Sequence, residues 1–327
     1  MDRIDLTISV VSYNTKGFLK NCLNSIYQHA RGIKYEVIVV DNGSTDGSIE
    51  MVKEEFPQVK VIENRENLGF ARANNQAIKR SRGEYILLFN PDTVFRVNSL
   101  DKMIKSMDNH PEIGILGCRI LNADGTIQPS NNSFPNLFTE FLRVLQLKRM
   151  VPSVKLRKKI GQKWGRLLGL TLREYFRVYW DSERIREVDW VTGACLLVRR
   201  TAVQDVGLLD ENFFMYYEDT DWCYRMRRKG WKVFYYPFFE IVHHAYTNDV
   251  GFSPTVFVER YKSAYYYFHK HGGEKALFLL RLLVRSGLAL RCVGLLAEYP
   301  FKSTKREELR TRFSAYLKTI EIAGVSR

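Results

Sequence analysis

Short apolar segments that alternate with helical patterns dominate the first 90 residues of this chain. The apolar segments are 6–13, 35–40, 59–62 and 85–89, and three of them lead into stretches with helical spacing of apolar residues. Strands and helices that alternate at such short intervals predict a parallel sheet with right-handed crossovers. The sequence therefore predicts an α/β fold built on a mostly parallel sheet flanked by helices.

Three of these predicted strands end in aspartate or asparagine. Asp41-Asn42 follows the second strand, 64–67 contains two asparagines after the third, and Asn90-Pro91-Asp92 follows the fourth. The carboxyl ends of parallel strands lie on one edge, which is where open α/β sheets bind their ligands. A need for solubility would scatter polar residues over every loop. We therefore predict a nucleotide site at this edge.

Asp92 stands where the fourth apolar run stops. Pro91 has no N–H for a sheet ladder, so the strand must end there. A carboxylate at this place can hold a divalent cation that in turn holds phosphates, although a lone aspartate in such a turn can also simply cap a helix. No GxxxxGK[ST] or GxGxxG motif follows the first strand, which argues against a P-loop NTPase and an NAD-binding domain. Without a glycine-rich loop to bind the phosphates, their negative charge must be balanced in another way, and this favours a divalent cation at Asp92.

An acidic segment, Glu218-Asp219-Thr220-Asp221, lies among aromatic residues. It is either the N-terminus of a helix, where acids complement the dipole, or a base in a partly desolvated pocket. His243 and His244 follow further along, and adjacent residues of a strand point to opposite faces. At most one histidine could meet the acidic site, and a structural role for both stays open at this point.

The formal net charge of +14 predicts an anionic partner. No RNP, KH or zinc-finger pattern is present, so we expect no nucleic acid. The five cysteines show no CxxC spacing, which suggests neither a zinc site nor a disulfide framework. The N-terminus is too short in its apolar run and too acidic for a signal peptide, so we expect the active part on the cytosolic side.

Two later stretches could meet a membrane. Residues 138–186 interleave many Lys and Arg with Leu, Phe and Trp, which is typical of a helix on anionic headgroups but also of a solvated helical hairpin. Residues 276–297 are strongly apolar but contain Arg281, Arg285 and Arg291. Charges are costly inside a bilayer, so we predict a helix that lies on the bilayer or packs on the catalytic domain, not a span.

Several blocks follow one another in a characteristic order: VSYNTKGFLKNCLNSI, VIVVDNGSTDGS, ENLGFARANNQAI, YILLFNPDT, VTGACLLVRR, YYEDTDWCYRMRRKGW and HH. In this order they resemble the family-2 glycosyltransferases, most closely the bacterial rhamnosyltransferase-like members, over about residues 6–270. The resemblance implies the GT-A fold of nucleotide-diphospho-sugar transferases. We expect a GT-A domain at 1–272 that carries the basic insertion 138–186, followed by a C-terminal helical, membrane-associating segment at 273–327.

The resemblance also implies roles for individual residues. It assigns Asp41 to the donor's base and predicts further donor contacts from Asn42, Asn67, Gly69, Phe70, Arg72, Asn74 and Asn90. Asp92 matches the remaining ligand of the family's metal-binding DxD, whose first carboxylate is replaced here by Asn90, and His243 matches a downstream metal ligand better than His244. Asp219, with Glu218, matches the catalytic base, and the acceptor side is assigned to Gly193, Ala194 and Trp222.

The implied function is an inverting transfer of one or a few sugars, since the processive QxxRW signature is absent. With Mg²⁺ or Mn²⁺, the protein would move a sugar, L-rhamnose among the candidates, from a UDP- or dTDP-sugar to a saccharide or lipid-linked hydroxyl at the inner face of the plasma membrane. The alternative is a non-catalytic, membrane-associated scaffold that binds sugar nucleotides. Asn90 favours this alternative, whereas the intact Glu218-Asp219 pair opposes it. A nucleotidyltransferase is a weaker rival, because its GxGTR-type start is missing.

Overall fold

The structure is a computed structural model, and it describes residues 3–96, 100–145, 183–244, 252–299 and 306–324. The chain divides into two compact units. The first, which we call the sheet unit, falls within Met1–Phe134, Arg177–Phe214 and Glu218–Ala245. The second, the helical unit, falls within Pro135–Phe176, Met215–Tyr217 and Tyr246–Arg327.

The strands all belong to the sheet unit. They are β1 (Leu6–Ser12), β2 (Tyr35–Asp41), β3 (Lys60–Glu63), β4 (Tyr85–Phe89), β5 (Thr93–Phe95), β6 (Ile113–Leu121), β7 (Ile127–Gln128), β8 (Asn131–Asn132), β9 (Arg186–Glu187), β10 (Trp190–Val191), β11 (Cys195–Arg199) and β12 (Lys232–His243).

The helices are divided between the two units. Those of the sheet unit are α1 (Lys16–His29), α2 (Ser48–Glu55), α3 (Phe70–Arg80), α4 (Leu100–Asn109), α6 (Arg200–Val206) and α7 (Glu218–Arg228). Those of the helical unit are α5 (Leu137–Val144), α8 (Pro254–Glu298) and α9 (Arg306–Gly324).

The main sheet has the strand order β3-β2-β1-β4-β11-β6-β12-β5, with β7 paired to β6 and β9 to β12. Its first four strands pair in parallel, as the alternating pattern predicts. Strand β11 then enters antiparallel between β4 and β6, and β12 is again parallel to β6. The prediction of an α/β fold with a mostly parallel sheet flanked by helices is confirmed, and the parallel half aligns the carboxyl ends of β1, β2 and β4.

The centre of the sheet is buried on both faces, which explains the nearly continuous apolar runs of its strands. Leu6, Ile8 and Val10 of β1 are inaccessible to solvent. Polar side chains at the centre of this layer can find partners inside the protein, as buried polar groups generally do. The Ser9 hydroxyl, for example, donates to Asn74 Oδ1 of α3 at 2.8 Å.

The helical unit is built around α8, in which two helical stretches meet at a kink, and the second of them contains the predicted apolar helix at 276–297. It begins at Pro254 and is kinked at Gly273, whose φ of 70° and ψ of −173° are not helical. Helix α5 packs on α8 at Gly287, where an added Cβ would lie 2.0 Å from Val144 Cγ1. Most of the predicted basic insertion, residues 146–182, lies outside the described residues.

Gly83, at the entry to β4, should be intolerant of a side chain. An added Cβ would lie 2.3 Å from the backbone nitrogen of Thr7 in β1, whereas one at Gly17 in α1 would meet no atom within 4 Å. We expect Gly83→Ala to lower the free energy of unfolding by about 1–3 kcal/mol, the usual cost of overpacking, and Gly17→Ala to leave it unchanged or slightly raised. Urea unfolding measures both, and a fully stable Gly83→Ala protein would contradict this close approach.

Candidate functional site

Asp41, the last residue of β2, presents a buried carboxylate at the carboxyl edge of the sheet. Its Oδ1 accepts hydrogen bonds from the N–H groups of Gly43 at 3.0 Å and Ser44 at 2.8 Å. Its Oδ2 is buried and has no hydrogen-bond partner among the described residues. A buried acceptor without a partner is costly. This oxygen is therefore suited to accept an N–H from a ligand.

The asparagines next to Asp41 tie two strand-end loops together. Asn42 Nδ2 donates to Asn67 Oδ1 at 3.2 Å and to the carbonyl of Gly69 at 3.3 Å. Asn42 Oδ1 in turn accepts from Asn64 Nδ2 at 2.9 Å. The Asn67 side chain also accepts the N–H of Gly69 at 3.0 Å. These bonds fix the shape of the loops before any ligand arrives.

Gly69 and Phe70 connect this edge to the acidic pair. Gly69 has a φ of +81°, and an added Cβ would lie 2.4 Å from the carbonyl oxygen of Phe214. The same oxygen accepts the N–H of Phe70 at 2.8 Å. The ring of Phe70 lies against Gly193, where an added Cβ would be 3.1 Å from two ring atoms and 3.7 Å from Asp219 Cβ. The structure thus brings Phe70, Gly193 and Asp219 together.

Arg72 and Asn74, two other residues of the predicted donor site, use their side chains for contacts within the protein. Asn74 is almost fully buried, and besides the bond from Ser9 it donates to the carbonyl of Phe70 at 3.0 Å. Its amide therefore holds α3 on the sheet. The Arg72 guanidinium is half exposed and pairs with Glu211 at 3.3 Å.

Asp92 and His243 meet because β5 pairs with the end of β12, with Thr93 opposite His243. Asp92 Oδ1 lies 3.2 Å from His243 Nε2, and Asn90 Nδ2 lies 3.4 Å from the same nitrogen. His244 differs: its N–H donates to the carbonyl of Asp92 at 2.8 Å, and its ring faces Phe18.

Gln128, a residue that the sequence pattern did not indicate, contacts the His243 ring of this pair. His243 Nδ1 lies 3.0 Å from Gln128 Oε1. That oxygen accepts, so the contact turns Nδ1 toward Gln128 and Nε2 toward Asp92. A carboxylate oxygen and an imidazole nitrogen placed side by side in this way can serve as two ligands of one divalent cation. A two-residue strand after a turn offered no motif that could have identified Gln128.

The donor set of Asp92 and His243 fits a divalent cation: the carboxylate oxygen suits Mg²⁺ and Mn²⁺, and the imidazole nitrogen suits a transition metal better than Mg²⁺. Within the described ranges, no group of three or more His, Cys, Asp and Glu side chains gathers in a way that could hold a metal. Two protein ligands leave most coordination positions to water and to a phosphate ligand, which is the usual arrangement for Mg²⁺ at nucleotide sites.

Glu218 and Asp219 form a buried acidic pair at the start of α7. Asp219 Oδ2 accepts the N–H of Gly193 at 2.9 Å, and its Oδ1 accepts the N–H of Thr220 at 2.6 Å. Burial raises the pKa of Asp219 above its ordinary value despite these donors. Burial, and then the charge of Asp219, raise the pKa of Glu218 well above its ordinary value. The pair therefore holds a proton more readily than exposed acids, which suits proton transfer near neutral pH.

Two neighbours of this pair are structural. Asp221 is fully buried and pairs with Arg225 one turn along α7, at 2.7 Å. Trp222 is also fully buried, and its indole N–H donates to the carbonyl of Gly207 at 2.9 Å. The ring of Trp222, which is predicted to lie on the acceptor side, packs in a hydrophobic core cluster of the sheet unit. Ala194, by contrast, adjoins the site, and its carbonyl accepts the N–H of Asn90 at 3.1 Å.

The fold is that of the GT-A glycosyltransferases. A family model described as "Glycosyl transferase family 2" matches residues 7–165, slightly less than half of the chain. An "N-acetylglucosaminyl-diphospho-decaprenol L-rhamnosyltransferase" of Mycobacterium tuberculosis is 29% identical over 93% of this chain and 97% of its own length. The "Rhamnosyltransferase WbbL" of Escherichia coli K12 is 24% identical over 80% of this chain and 91% of its own.

Solved structures support the fold assignment. The mannosyltransferase PcManGT from Pyrobaculum calidifontis, in complex with GDP-Man and Mn²⁺, has a TM-score of 0.55 and 16% identity, over 98% of this chain and 88% of that one. GalNAc-T7 with UDP, GalNAc and Mn²⁺ has a TM-score of 0.54 and 14% identity, over 85% of this chain and 53% of that one. At such low identity these likenesses carry the fold alone.

Glu218→Gln should stabilise the protein at neutral pH. The folded-state pKa of Glu218 is raised above 4.5, so the stability that its carboxyl contributes is fully present below about pH 4.5 and is lost as the pH rises through the folded-state pKa. Glutamine does not titrate. The melting temperature of the variant should therefore exceed that of the wild type by a margin that grows from about pH 4.5 to pH 8.

Thermal unfolding across this pH range measures the effect. Glu54→Gln, at an exposed position of α2, is the matched control and should show a constant margin. A margin for Glu218→Gln that shrinks as the pH rises would contradict a raised pKa.

Proposed function

We propose that this protein transfers a single sugar, with inversion, from a UDP- or dTDP-sugar to a hydroxyl of a lipid-linked saccharide. The observation that carries the proposal is the buried Glu218–Asp219 pair, held by Gly193 beside Phe70 of the asparagine-rich block. L-Rhamnose is the favoured sugar, because both rhamnosyltransferases described above align with most of this chain. The decaprenol-linked acceptor in the mycobacterial name supports a lipid-linked acceptor.

Asp41 is the residue proposed to recognise the donor's base. Its unpartnered Oδ2 would accept the N3–H of uracil or thymine, which both bases share. Asn42 and Asn67 would shape the pocket through the bonds that they make to Gly69. The N–H and ring of Phe70 are held toward Phe214 and Gly193, so Phe70 would line the donor between the base and the acidic pair.

Asp219 is the proposed base. As the acceptor oxygen forms its bond to the anomeric carbon, the bond from that carbon to the diphosphate breaks, and the acceptor proton passes to Asp219 Oδ2. Burial and the charge of Asp219 raise the pKa of Glu218, which disfavours a second negative charge beside the base. The N–H of Gly193 orients Asp219, and Gly193 and Ala194 would border the acceptor.

Asp92 and His243 are the residues proposed to hold Mg²⁺ or Mn²⁺. When bound, the metal supplies positive charge that stabilises the leaving diphosphate. Gln128 would orient the His243 ring toward the metal through its contact with Nδ1, and Asn90 would fix the edge of the site through its contacts with Ala194 and His243. The Mn²⁺ in the complexes of PcManGT and GalNAc-T7 supports a divalent metal.

The alternative is a sugar-nucleotide-binding protein without transferase chemistry. It is favoured by Asn90, which occupies the position of the first carboxylate in the family's metal motif. Such a protein would bind UDP or dTDP through Asp41 but would release no nucleotide from any donor.

We further propose that the C-terminal helices of residues 273–327 dock on the anionic inner leaflet of the plasma membrane. No helix in the described part of the chain is long and apolar enough to span a membrane. The C-terminal half of α8 nevertheless exposes a strip of large apolar side chains, each more than half exposed: Phe278, Leu282, Leu290, Val293 and Leu296. The strip is about 27 Å long at 1.5 Å per residue.

The apolar side chains of this strip would be more stable against a lipid surface than in water. The opposite face of α8 is also apolar and fully buried, at Leu280, Val284 and Leu288. A helix that is apolar all round needs cover on both sides. Lys275 and Arg285 are exposed beside the strip, and together with the net charge of +14 they favour anionic headgroups over a second protein surface.

Nucleotide release tests the proposed reaction. Purified protein, a lipid-linked saccharide acceptor and a panel of donors that includes dTDP-rhamnose and several UDP-sugars should give metal-dependent release of the nucleoside diphosphate from one donor. We expect Asp219→Asn and Asp92→Ala each to lower kcat by about a hundredfold or more, because one removes the base and the other a metal ligand. Asp101→Asn, a surface acid of α4 that pairs with Lys105, is the control.

Bound nucleotide with no release from any donor would support the non-catalytic alternative. Activity that survives in Asp219→Asn would overturn the role assigned to that residue.

Vesicle sedimentation tests the membrane proposal. Leu282→Glu with Val293→Glu should weaken binding to phosphatidylglycerol vesicles at least about tenfold, since each buried side chain of this size contributes about 1.5–3 kcal/mol. Leu317→Glu is the control, because Leu317 is a half-exposed leucine of α9 in the same unit. Equal sedimentation of the double variant and the control would rule out the strip as the contact.

A further inference from the structure

Tyr216 and Tyr217, immediately before the acidic pair, have an unusual backbone. Their φ angles are 68° and 66°, and in the described part of the chain the only other non-glycine residue with positive φ is Asn14. Bulky residues rarely adopt this region. Each such residue costs on the order of 1–3 kcal/mol and persists only where its surroundings enforce it, which is most often at functional sites.

A buried polar cluster of the helical unit holds Tyr217. The Tyr217 hydroxyl donates to Glu140 Oε1 at 3.0 Å and accepts from Arg143 Nη1 at 2.5 Å. Arg143 also pairs with Glu140 at 2.9 Å, and Glu140 is almost fully buried. Glu140 and Arg143 stand one turn apart on α5, whose start is fixed by a capping box between Asn136 and Thr139.

The two residues before Tyr217 are held as well. The Ser263 hydroxyl of α8 donates to the carbonyl of Met215 at 2.7 Å. The Arg260 guanidinium lies over the ring of Tyr216 at 5.3 Å. Every residue of the segment Met215–Tyr217 therefore has its own partner on α5 or α8.

Stability alone does not account for a buried charged cluster at this place. Burying ions is expensive, and apolar side chains of similar volume usually stabilise a fold at least as well. An ion pair that shares hydrogen bonds with a hydroxyl group does fix the orientation of its members, because all of these hydrogen bonds can form in only one arrangement of the side chains. The cluster thus fixes the position of the Tyr217 backbone, and the next two residues along the chain are Glu218 and Asp219.

We propose that Tyr217, Glu140 and Arg143 are positioning residues, which hold the strained Tyr216–Tyr217 pair and thereby set the place of the base Asp219. The inference rests on the proposed function of Asp219. The Asp219 carboxylate accepts hydrogen bonds from the N–H groups of Gly193 and Thr220 and from the Thr220 hydroxyl, and the direction in which it points also depends on the backbone that precedes it.

Tyr217→Phe in the full-length protein tests the inference. The variant keeps the ring that packs on Tyr267 and loses only the hydroxyl. We expect kcat for transfer to fall about tenfold, since small misplacements of a catalytic group are costly, with the donor KM unchanged within about twofold. Hydrogen exchange at the amides of residues 218–220 should become faster.

Tyr265→Phe is the matched control. Tyr265 is a buried tyrosine of the same unit whose hydroxyl has no hydrogen-bond partner among the described residues, so its loss should alter neither kcat nor the exchange of residues 218–220. A Tyr217→Phe protein that matches this control in both measurements would overturn the inference. So would a fall in kcat that comes with an equal loss of donor binding and a lowered melting temperature, because that is general destabilisation.

Asp219→Asn, measured alongside, distinguishes a failure of the positioning role of Tyr217 from a failure of Asp219 as the base. If Asp219→Asn is inactive and Tyr217→Phe is fully active, the base stands and only the positioning role fails. If Asp219→Asn remains active, the proposed function of Asp219 fails.

Discussion

The parallel pairing of β1 with both β2 and β4 is the constraint on which the site depends. Its register places Ser12 opposite Asp41 and Val10 opposite Phe89, so the turns that follow these strands open on one edge. Asp41 and Asp92 are far apart in sequence, yet they follow strand ends at one edge of the sheet because its backbone hydrogen bonds align those ends. A shift of register by one residue would turn the buried side chains to the wrong faces, which makes the alignment robust.

Much of this arrangement could be predicted from the sequence. The alternation of apolar runs and helical patterns indicates the sheet, and the aspartates and asparagines after three strands indicate its functional edge. The antiparallel insertion of β11 could not be predicted, because a buried apolar run looks the same in either direction. Trp222 shows another limit: a tryptophan beside acidic residues can face the core as readily as a ligand, and only packing decides between the two.

The finer chemistry of the site lies in contacts that have no sequence signal. Gln128 contacts Nδ1 of His243 and so orients its ring. Asp41 has one carboxylate oxygen bound by two backbone N–H groups and another without a partner among the described residues. Tyr216 and Tyr217 likewise read as ordinary aromatic residues until their backbone angles are seen. Such features depend on residues that are distant along the chain, and no local pattern records them.

The place of β11 in the sheet has a consequence for biosynthesis. Strand β4 pairs with β1 on one side and with β11 on the other, and more than a hundred residues separate the end of β4 from Cys195. During translation the first four strands can assemble early, but one edge of β4 then waits unpaired while that long stretch is synthesised. At about 5–20 residues per second the wait lasts several seconds or more. A nascent chain with an open, apolar strand edge is prone to aggregate, so slow elongation or overexpression should burden this protein at the ribosome before its site has formed.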